Sequence, residues 1–219
     1  MSPAALAVLG GTGRQGRGIA RRFAQAGFQV LVGSRDPEKA AATVAAWPDA
    51  APAISAVSYR DAIAGASVVF LAVPFDALDG LLNDNRAIFR ARSLIVDVTV
   101  PLLFTGGPLR LAAVPDGSAA EYIKTRLPPD VRLAVAFKTV PARLLGSLDQ
   151  PLDCDEFIAG DSQESRSEIA ALIQHVKGLR AVDVGPLSNT RSIEHLTFLA
   201  LGINRRYDVH AARFQVVGL

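Results

Sequence analysis

A glycine-rich stretch near the N-terminus most constrains the fold of this chain. Gly11, Gly13 and Gly16 have the spacing G-x-G-x-x-G and follow an apolar run that ends at Leu9. The pattern before them predicts a buried strand, and the pattern over 15–26 predicts a helix. The first glycine lets the chain leave the strand sharply, the second admits a phosphate, and the third allows close packing. The stretch therefore predicts a dinucleotide site, with an unliganded strand–helix turn as the alternative.

The end of the second predicted strand indicates which dinucleotide is bound. NAD enzymes tend to place an acidic residue there for the ribose 2′-hydroxyl, whereas NADP enzymes need donors and positive charge. Here the chain offers Ser34, Arg35 and Lys39, and an arginine grips phosphate oxygens as a bidentate fork. Asp36 is predicted to cap the next helix instead. These residues favour NADP over NAD, and a solvated basic loop is the alternative.

Apolar, β-branched runs alternate with helical patterns along the chain. This alternation predicts an α/β fold, a Rossmann-type doubly wound parallel sheet with a smaller C-terminal α/β part. We expect an NADP-binding domain over 1–141 and a smaller domain over 142–219 that packs on it. The predicted strands are 4–9, 28–33, 53–57, 67–73, 94–98, 132–136, 157–159 and 180–184.

The C-terminal segments carry two further predictions. The helical stretch from Ser192 to about Arg206 is richer in apolar residues than one buried face needs. It is therefore expected to pack between domains or across a homodimer interface. The tail over 213–217 is expected to add an edge strand, and the segment over 102–117 is read as a loop that covers the site or merely connects two elements.

The carboxyl ends of the predicted strands mark the expected cleft. Two of these strands end in a Val-Pro pair, and a third leads into a polar segment. Parallel sheets of this kind bind ligands at their carboxyl ends, so the two pairs are expected to form a rigid apolar wall beside the nicotinamide. The alternative is that the prolines merely end the strands. The residues placed at the cleft are Val73, Pro74, Phe75, Val100, Pro101, Lys138, Thr139 and Ala142.

Composition narrows the function further. Lys and Arg number 23 against 21 Asp and Glu, which is too balanced to indicate nucleic-acid binding. The single cysteine, Cys154, excludes an intramolecular disulfide and a cysteine cluster for zinc. No apolar run is long enough to span a bilayer, and none resembles a secretion signal. We therefore expect a cytoplasmic protein with no membrane and no nucleic-acid partner.

An ordered set of motifs extends the interpretation along the whole chain. The motifs are Leu-Gly-Gly-Thr-Gly-x-x-Gly-x-Gly at 9–18, Gly-Ser-Arg at 33–35 with Lys39, Val-Pro at 73–74 and 100–101, Ser-Ala-Ala-Glu at 118–121, Thr-Val-Pro-Ala at 139–142, Gly-Leu-Arg at 178–180, Gly-Pro-Leu-Ser-Asn-x-Arg at 185–191 and Asn-Arg-Arg-Tyr at 204–207. Together they resemble the NADPH-dependent reductases of coenzyme F-420, a 5-deazaflavin hydride carrier. The glycine motif is generic, whereas the ordered set is fairly specific.

The resemblance implies reversible hydride transfer between NADP(H) and coenzyme F-420. The deazaflavin is expected over the nicotinamide, in an apolar cleft between the large domain and the C-terminal part. Because the two cofactors carry the reactivity, no catalytic side chain is predicted. The positions that the resemblance assigns to NADP are Thr12, Gly13, Arg14 and Gln15 for the phosphates, Ser34, Arg35 and Lys39 for the 2′-phosphate, and Val73, Val100, Ala142 and Ala212 for the remainder.

Lys138 is the one departure from the family pattern. It stands where archaeal members carry a histidine beside the deazaflavin, and its ammonium is expected to pair with the delocalised anion of the ring or with a different anionic acceptor. A lysine that points to solvent is the alternative. Ser188 and Asn189 are further candidates for hydrogen bonds to the acceptor, unless their turn only caps the long helix. A flavin or ferric-chelate reductase of the same fold and a non-catalytic NADP-binding sensor remain the competing functions.

Overall fold

The computed structural model describes residues 5–47, 53–103 and 109–219. It contains an eight-stranded sheet and a separate two-stranded antiparallel sheet. The strands are β1 (Leu6–Leu9), β2 (Val30–Ser34), β3 (Ile54–Ser58), β4 (Val68–Leu71), β5 (Leu94–Asp97), β6 (Leu102–Leu103), β7 (Arg110–Leu111), β8 (Arg132–Val135), β9 (Cys154–Gly160) and β10 (Leu179–Pro186). The helices are α1 (Arg14–Gln25), α2 (Pro37–Ala45), α3 (Tyr59–Gly65), α4 (Leu78–Asn85), α5 (Ala119–Arg126), α6 (Ala142–Gly146), α7 (Gln163–Ile173) and α8 (Thr190–Tyr207).

The order of the strands confirms the Rossmann-type fold. The large sheet runs β10-β9-β8-β5-β4-β1-β2-β3, and its six strands from β8 to β3 are parallel. This is the doubly wound arrangement, in which the chain reverses direction across the sheet between β1 and β4. β9 then joins β8 in antiparallel register, and β10 pairs with β9 in parallel. The carboxyl ends of β1, β4, β5 and β8 therefore meet at one edge.

Two apolar layers hold the helices against the sheet. One layer joins α1, α2, α6 and α7 to one face, and it includes Ile19, Phe23 and Ile169. The other joins α3, α4, α5 and α8 to the opposite face, and it includes Ile63 and Ile193. The central strands are buried on both faces, which explains why they read as continuous apolar runs rather than as alternating ones.

The C-terminal tail is not the edge strand that the sequence predicts. Residues 213–217 form no ladder, and the tail instead meets the first residues of β9 through isolated bonds. The N–H of Asp155 donates to the carbonyl of Phe214 at 2.9 Å, and the N–H of Val216 donates to the Asp155 carboxylate at 2.6 Å. Arg180 on β10 binds the same carboxylate through two nitrogens. The Asp155 side chain thus accepts the N–H of Val216, which a strand ladder would need for a bond between backbones.

The segment over 102–117, which the sequence predicts to be a loop, contains the small β6–β7 hairpin. Its residues 104–108 lie outside the described residues. Because β9 and β10 extend the sheet formed by β1–β5 and β8, one sheet spans both predicted parts, and the division at residue 141 stays a prediction. Among the described helices, none combines the length and apolarity that crossing a bilayer requires. The described residues also hold no cluster of metal ligands.

Candidate functional site

The turn after β1 depends on Gly10 and Gly16. Gly10 has a φ of 77°, and a Cβ there would lie 2.7 Å from the carbonyl oxygen of Ala72. The sharp turn off the strand is therefore made one residue earlier than the sequence predicts, since Gly11 does not have a positive φ. A Cβ on Gly16 would lie 2.6 Å from the carbonyl oxygen of Gly10, which confirms that the third glycine of the motif permits close packing.

Helix α1 opens with its N-terminus uncapped. Gly13 occupies the N-cap position without a side-chain hydrogen bond, and the first turn carries no acidic residue. Thr12, Gly13 and Arg14 are exposed. The amide of Gln15 turns inward and donates to the carbonyls of Phe137 and Val140 at 2.6 and 3.2 Å. The free N–H groups of this turn and its dipole suit a phosphate, to which Gln15 offers its backbone rather than its side chain.

The loop after β2 confirms the helix cap that is predicted for Asp36. The Asp36 carboxylate accepts the N–H of Lys39 at 3.0 Å and caps α2. Arg35 and Lys39 are exposed, and within the described part of the chain neither forms an ion pair with a carboxylate. Ser34 is half-buried, and its hydroxyl accepts the N–H of Asp36 at 3.1 Å. The acidic residue is thus occupied by the helix, whereas the two cations remain available to a ligand.

A cavity of about 570 Å³ lies beside this loop. Arg35, Tyr59, Val73 and Pro74 line it, so the basic residue after β2 and the predicted Val-Pro pair after β4 face one space. Phe75 lies outside that lining, and its ring packs on the ring of Tyr122 with the centroids 5.2 Å apart.

A larger cavity of about 890 Å³ opens over the ends of β5 and β8. Its apolar wall comes from Val98, Val100, Leu102, Val140, Ala200 and Leu201, and its basic rim from Arg14, Arg17, Arg21 and Arg143. No carboxylate of the described residues lines it. The structure brings together here seven of the predicted site residues: Arg14, Gln15, Val100, Lys138, Thr139, Ala142 and Ala212. The cavity therefore offers an apolar region for a flat ring and a cationic region for phosphates.

Neither cavity is lined by three further predicted residues, Pro101, Ser188 and Asn189. Ser188 and Asn189 are exposed in the turn before α8, where the Asn189 amide donates to the carbonyl of Val184. Pro101 is buried behind the wall, and its carbonyl accepts the N–H of Ala112 at 2.7 Å. Their assignment to the ligands stays a prediction that this geometry does not assist.

The ammonium of Lys138 does not point to solvent. Its side chain is completely buried, and Nζ lies 2.7 Å from the Asp97 carboxylate and 3.3 Å from that of Glu194. It also donates to the carbonyl of Thr99. Asp97 in turn accepts the N–H and the hydroxyl of Thr99 at 2.8 and 2.7 Å. Burial raises the pKa of Glu194, although the Lys138 ammonium opposes that shift. Lys138 thus joins the ends of β5 and β8 to α8.

Comparison with known proteins agrees with this geometry. The family model described as NADP oxidoreductase, coenzyme F-420-dependent, matches residues 5–101. An F-420-dependent NADP reductase from Methanothermobacter thermautotrophicus is 37% identical in sequence to this chain. The alignment covers 98% of this chain and 95% of that protein. The chain belongs to this family. A second relative of the same description, from Methanocaldococcus jannaschii, is 31% identical over 98% of both chains.

A solved structure in the family supports the fold over the full chain. A proposed F-420-dependent NADP reductase from an Arthrobacter species superposes with a TM-score of 0.85 and 26% identity. The match covers 97% of this chain and 98% of the other, so the strands added beyond the six-stranded Rossmann core are shared with this neighbour.

Several residues of the site carry no clear signal in the sequence. Asn204 and His210 come from α8 and the tail, and both line the large cavity. The Asn204 side chain accepts the N–H of Ala212 at 2.9 Å, which holds the tail against the cavity. Glu156 is buried beneath the loop after β8. Asn204 belongs to the Asn-Arg-Arg-Tyr motif at 204–207, but that motif does not indicate that its side chain reaches the cavity. Glu156 and His210 belong to none of the motifs, because tertiary packing brings them to the site.

Proposed function

We propose that the protein catalyses reversible hydride transfer between NADP(H) and the deazaflavin coenzyme F-420. The observation that carries the proposal is the large cavity, which places an apolar wall beside the uncapped N-terminus of α1 in a chain of this family. A phosphate cradle alone suits any dinucleotide-binding protein. The apolar wall next to it suits two stacked rings, and a non-catalytic sensor would not need it.

The residues present fit NADP. Gly13 is exposed at the start of α1, and a Cβ there would meet only the carbonyl oxygen of Gly10, at 3.3 Å, so the outer side of the turn is open to phosphate oxygens. Arg35 lines the smaller cavity, Lys39 lies in the loop beside it, and both side chains are exposed. They would hold the 2′-phosphate, because the Asp36 carboxylate is already occupied in capping α2. The rest of the cofactor would lie along Val100, Ala142 and Ala212 in the larger cavity, so NADP would span both cavities.

The protein's own contribution is to align the two cofactors and to exclude water from the space between them. When bound, NADPH supplies a hydride and the deazaflavin accepts it, so the chemistry needs little acid–base assistance. Val98, Val100 and Val140 exclude water from the apolar wall. The nearby carboxylates of Asp97 and Glu194 are bound by Lys138 and backbone donors rather than presented to the cavity.

The direct test is anaerobic mixing of the protein, NADPH and oxidised coenzyme F-420, followed by the absorbance of the deazaflavin. Bleaching at catalytic protein concentrations supports the proposal. Tight NADPH binding without bleaching contradicts it. The same assay with a free flavin and with a ferric chelate then separates a related reductase from a protein that only senses NADP.

Replacing Arg35 by glutamate is expected to weaken NADPH binding by about 100-fold while NADH binding changes little, because the variant loses a charge-assisted fork and gains repulsion. Fluorescence titration of each reduced cofactor measures both dissociation constants. Arg90→Glu is the matched control, because Arg90 is equally exposed but lines neither cavity. Equal loss of affinity for the two cofactors would mean that Arg35 does not read the 2′-phosphate.

We also propose that the protein is a cytoplasmic homodimer without a nucleic-acid partner. Leu199 and Tyr207 on α8 are 52% and 72% exposed, which gives this helix an apolar surface outside the core. The buried free thiol of Cys154 fits a reducing compartment. Sedimentation equilibrium at micromolar concentration tests the assembly, and a monomer there would contradict it.

A further inference from the structure

Glu156 places a buried carboxylate beneath the loop that follows β8. β9 runs antiparallel to β8, so residue 156 lies beside the first residues of that loop. Its Oε1 accepts the N–H of Lys138 at 3.1 Å, and its Oε2 accepts the hydroxyl of Thr139 at 3.0 Å. The backbone of Phe137 and Thr139 also favours the ionised form of this carboxyl and so opposes the rise in its pKa. One carboxylate therefore holds two consecutive residues of the loop, one through its backbone and the other through its side chain.

The other groups of this loop are fixed from different directions. Phe137 has a φ of 58°, which is unusual for a residue with a side chain, and its ring is buried in the aromatic core. Its carbonyl accepts the Gln15 amide at 2.6 Å, and the carbonyl of Lys138 accepts the Thr197 hydroxyl at 3.0 Å. The strained backbone is thus held by α1 and α8 on its carbonyl side and by Glu156 on its N–H side.

The same loop forms part of the large cavity, which residues 137–140 line. We propose that Glu156 is a positioning residue of the site: its ionised carboxylate holds loop 137–139 in the shape that forms this wall. The inference rests on the proposed function, because the wall is where the rings would lie. Glu156 itself does not line the cavity and is fully buried, so it acts through the backbone of the loop.

The charge state of Glu156 is finely balanced. Burial raises its pKa to about 7, while the Thr139 hydroxyl and the loop N–H groups oppose that shift. An ionised carboxylate accepts these bonds more strongly than a neutral carboxyl does. As the pH falls through about 7, the carboxyl takes up a proton, so its hold on residues 137–139 weakens.

Burial also raises the pKa of Glu194, but that carboxylate accepts from the Lys138 ammonium and from the N–H of Ala119 rather than from the backbone of the loop. Glu194 is present in both the wild type and the Glu156 variant, so a ratio of the two rates cancels its contribution. The Lys138 ammonium is directed to Asp97 and Glu194. On β10, Arg180 is paired with the Asp155 carboxylate.

The nearest other titratable groups belong to β9 and the tail. Burial raises the pKa of the Cys154 thiol to about 12, so that thiol stays neutral across the range of interest. Arg213 donates to the carbonyl of Asp153 at 3.3 Å.

The experiment compares the wild type with Glu156→Gln across roughly pH 6 to 9, where a group of pKa near 7 changes charge. The amide keeps the shape but turns one acceptor into a donor that faces other donors. We expect the wild-type rate of F-420 reduction to exceed that of the variant by about tenfold at high pH, because a charged acceptor has been lost. The ratio should fall towards unity at low pH, and taking the ratio cancels titrations of the substrates.

Two further variants separate positioning from general destabilisation. Thr139→Val removes a bond that favours the ionised form, so the midpoint of the wild-type profile should move to higher pH. Glu164→Gln, at a side chain that is 77% exposed, makes the same chemical change away from the site and should leave the profile unchanged. A pH-independent ratio, or a midpoint that Thr139→Val does not move, would overturn the proposal.

NADPH affinity provides a readout that does not need the acceptor. The dissociation constant of the wild type, measured by cofactor fluorescence, should follow the same midpoint. If NADPH affinity follows it but no F-420 is reduced, the positioning role of Glu156 holds and the proposed reaction fails. If F-420 is reduced but the ratio of rates does not change with pH, the proposed reaction holds and the positioning role of Glu156 fails.

Discussion

Lys138→Met is expected to lower the free energy of unfolding by about 3–5 kcal/mol, because removal of one partner leaves buried charge without compensation. The ammonium lies 2.7 Å from the Asp97 carboxylate, and both side chains are completely buried. Methionine fills a similar volume but cannot satisfy Asp97 or Glu194. Urea denaturation measures the loss directly, and the midpoint of thermal unfolding should fall by roughly 10 °C.

Lys124→Met is the matched control for burial. The Lys124 ammonium lies 2.7 Å from the Asp161 carboxylate, the same separation as in the buried pair, but its side chain is 33% exposed. A surface pair of this kind contributes only about 0–1 kcal/mol. Similar losses for the two variants would show that the buried ammonium is not what stabilises the ends of β5 and β8.

Asp97→Asn in the Lys138→Met background supplies a second arm of the same test. The asparagine removes the carboxylate that the first change left unpaired, so part of the lost stability should return. Because the two residues are in contact, their effects are expected to be non-additive by about 0.5–3 kcal/mol. Strict additivity would contradict the pairing.

Gly16→Ala is expected to raise the dissociation constant of NADPH by about 100-fold, since misplacement of a binding group by about 1 Å has effects of this size. The added Cβ would lie 2.6 Å from the carbonyl oxygen of Gly10 and 2.8 Å from the Cα of Gly11. Both atoms belong to the backbone, so α1 must move away from the turn, and its N–H groups move with it. Fluorescence titration with NADPH measures the change.

Gly202→Ala controls for the general effect of alanine in a helix. No described atom lies within 4 Å of the Cβ that this change adds on α8. It should leave NADPH affinity unaltered and stabilise the protein by about 0.5–1 kcal/mol, because glycine is the poorer helix former. Unchanged affinity in Gly16→Ala as well would contradict the contact between helix and turn.

Local patterns predicted the parts of the site that local geometry forms. The turn between β1 and α1, the cap at Asp36 and the capping box in which Ser118 accepts the N–H of Glu121 all depend on neighbouring residues. Each is a short segment whose conformation follows from its own residue types. The strong alternation of apolar runs and helices likewise fixed the fold class.

The start of β9 was harder to predict than the turns and caps. The strand begins at Cys154. The sequence predicts a start at residue 157, because Asp155 and Glu156 interrupt the apolar pattern by which a strand is recognised. Both acids are buried in the structure, with partners that come from the loop after β8, from β10 and from the tail. A buried carboxylate looks like a surface one in the sequence, since its donors lie elsewhere in the chain.

The sequence by itself determined the Rossmann-type fold, the glycine turn after β1 and the cap at Asp36 after β2, because these follow from short-range patterns of glycine, polar and apolar residues. Only the tertiary structure decided that Lys138 is buried between Asp97 and Glu194, and that Glu156 lies under loop 137–139. The reason is physical. Burial and electrostatic pairing depend on distances between strands and helices far apart in the chain, and residue order does not state those distances.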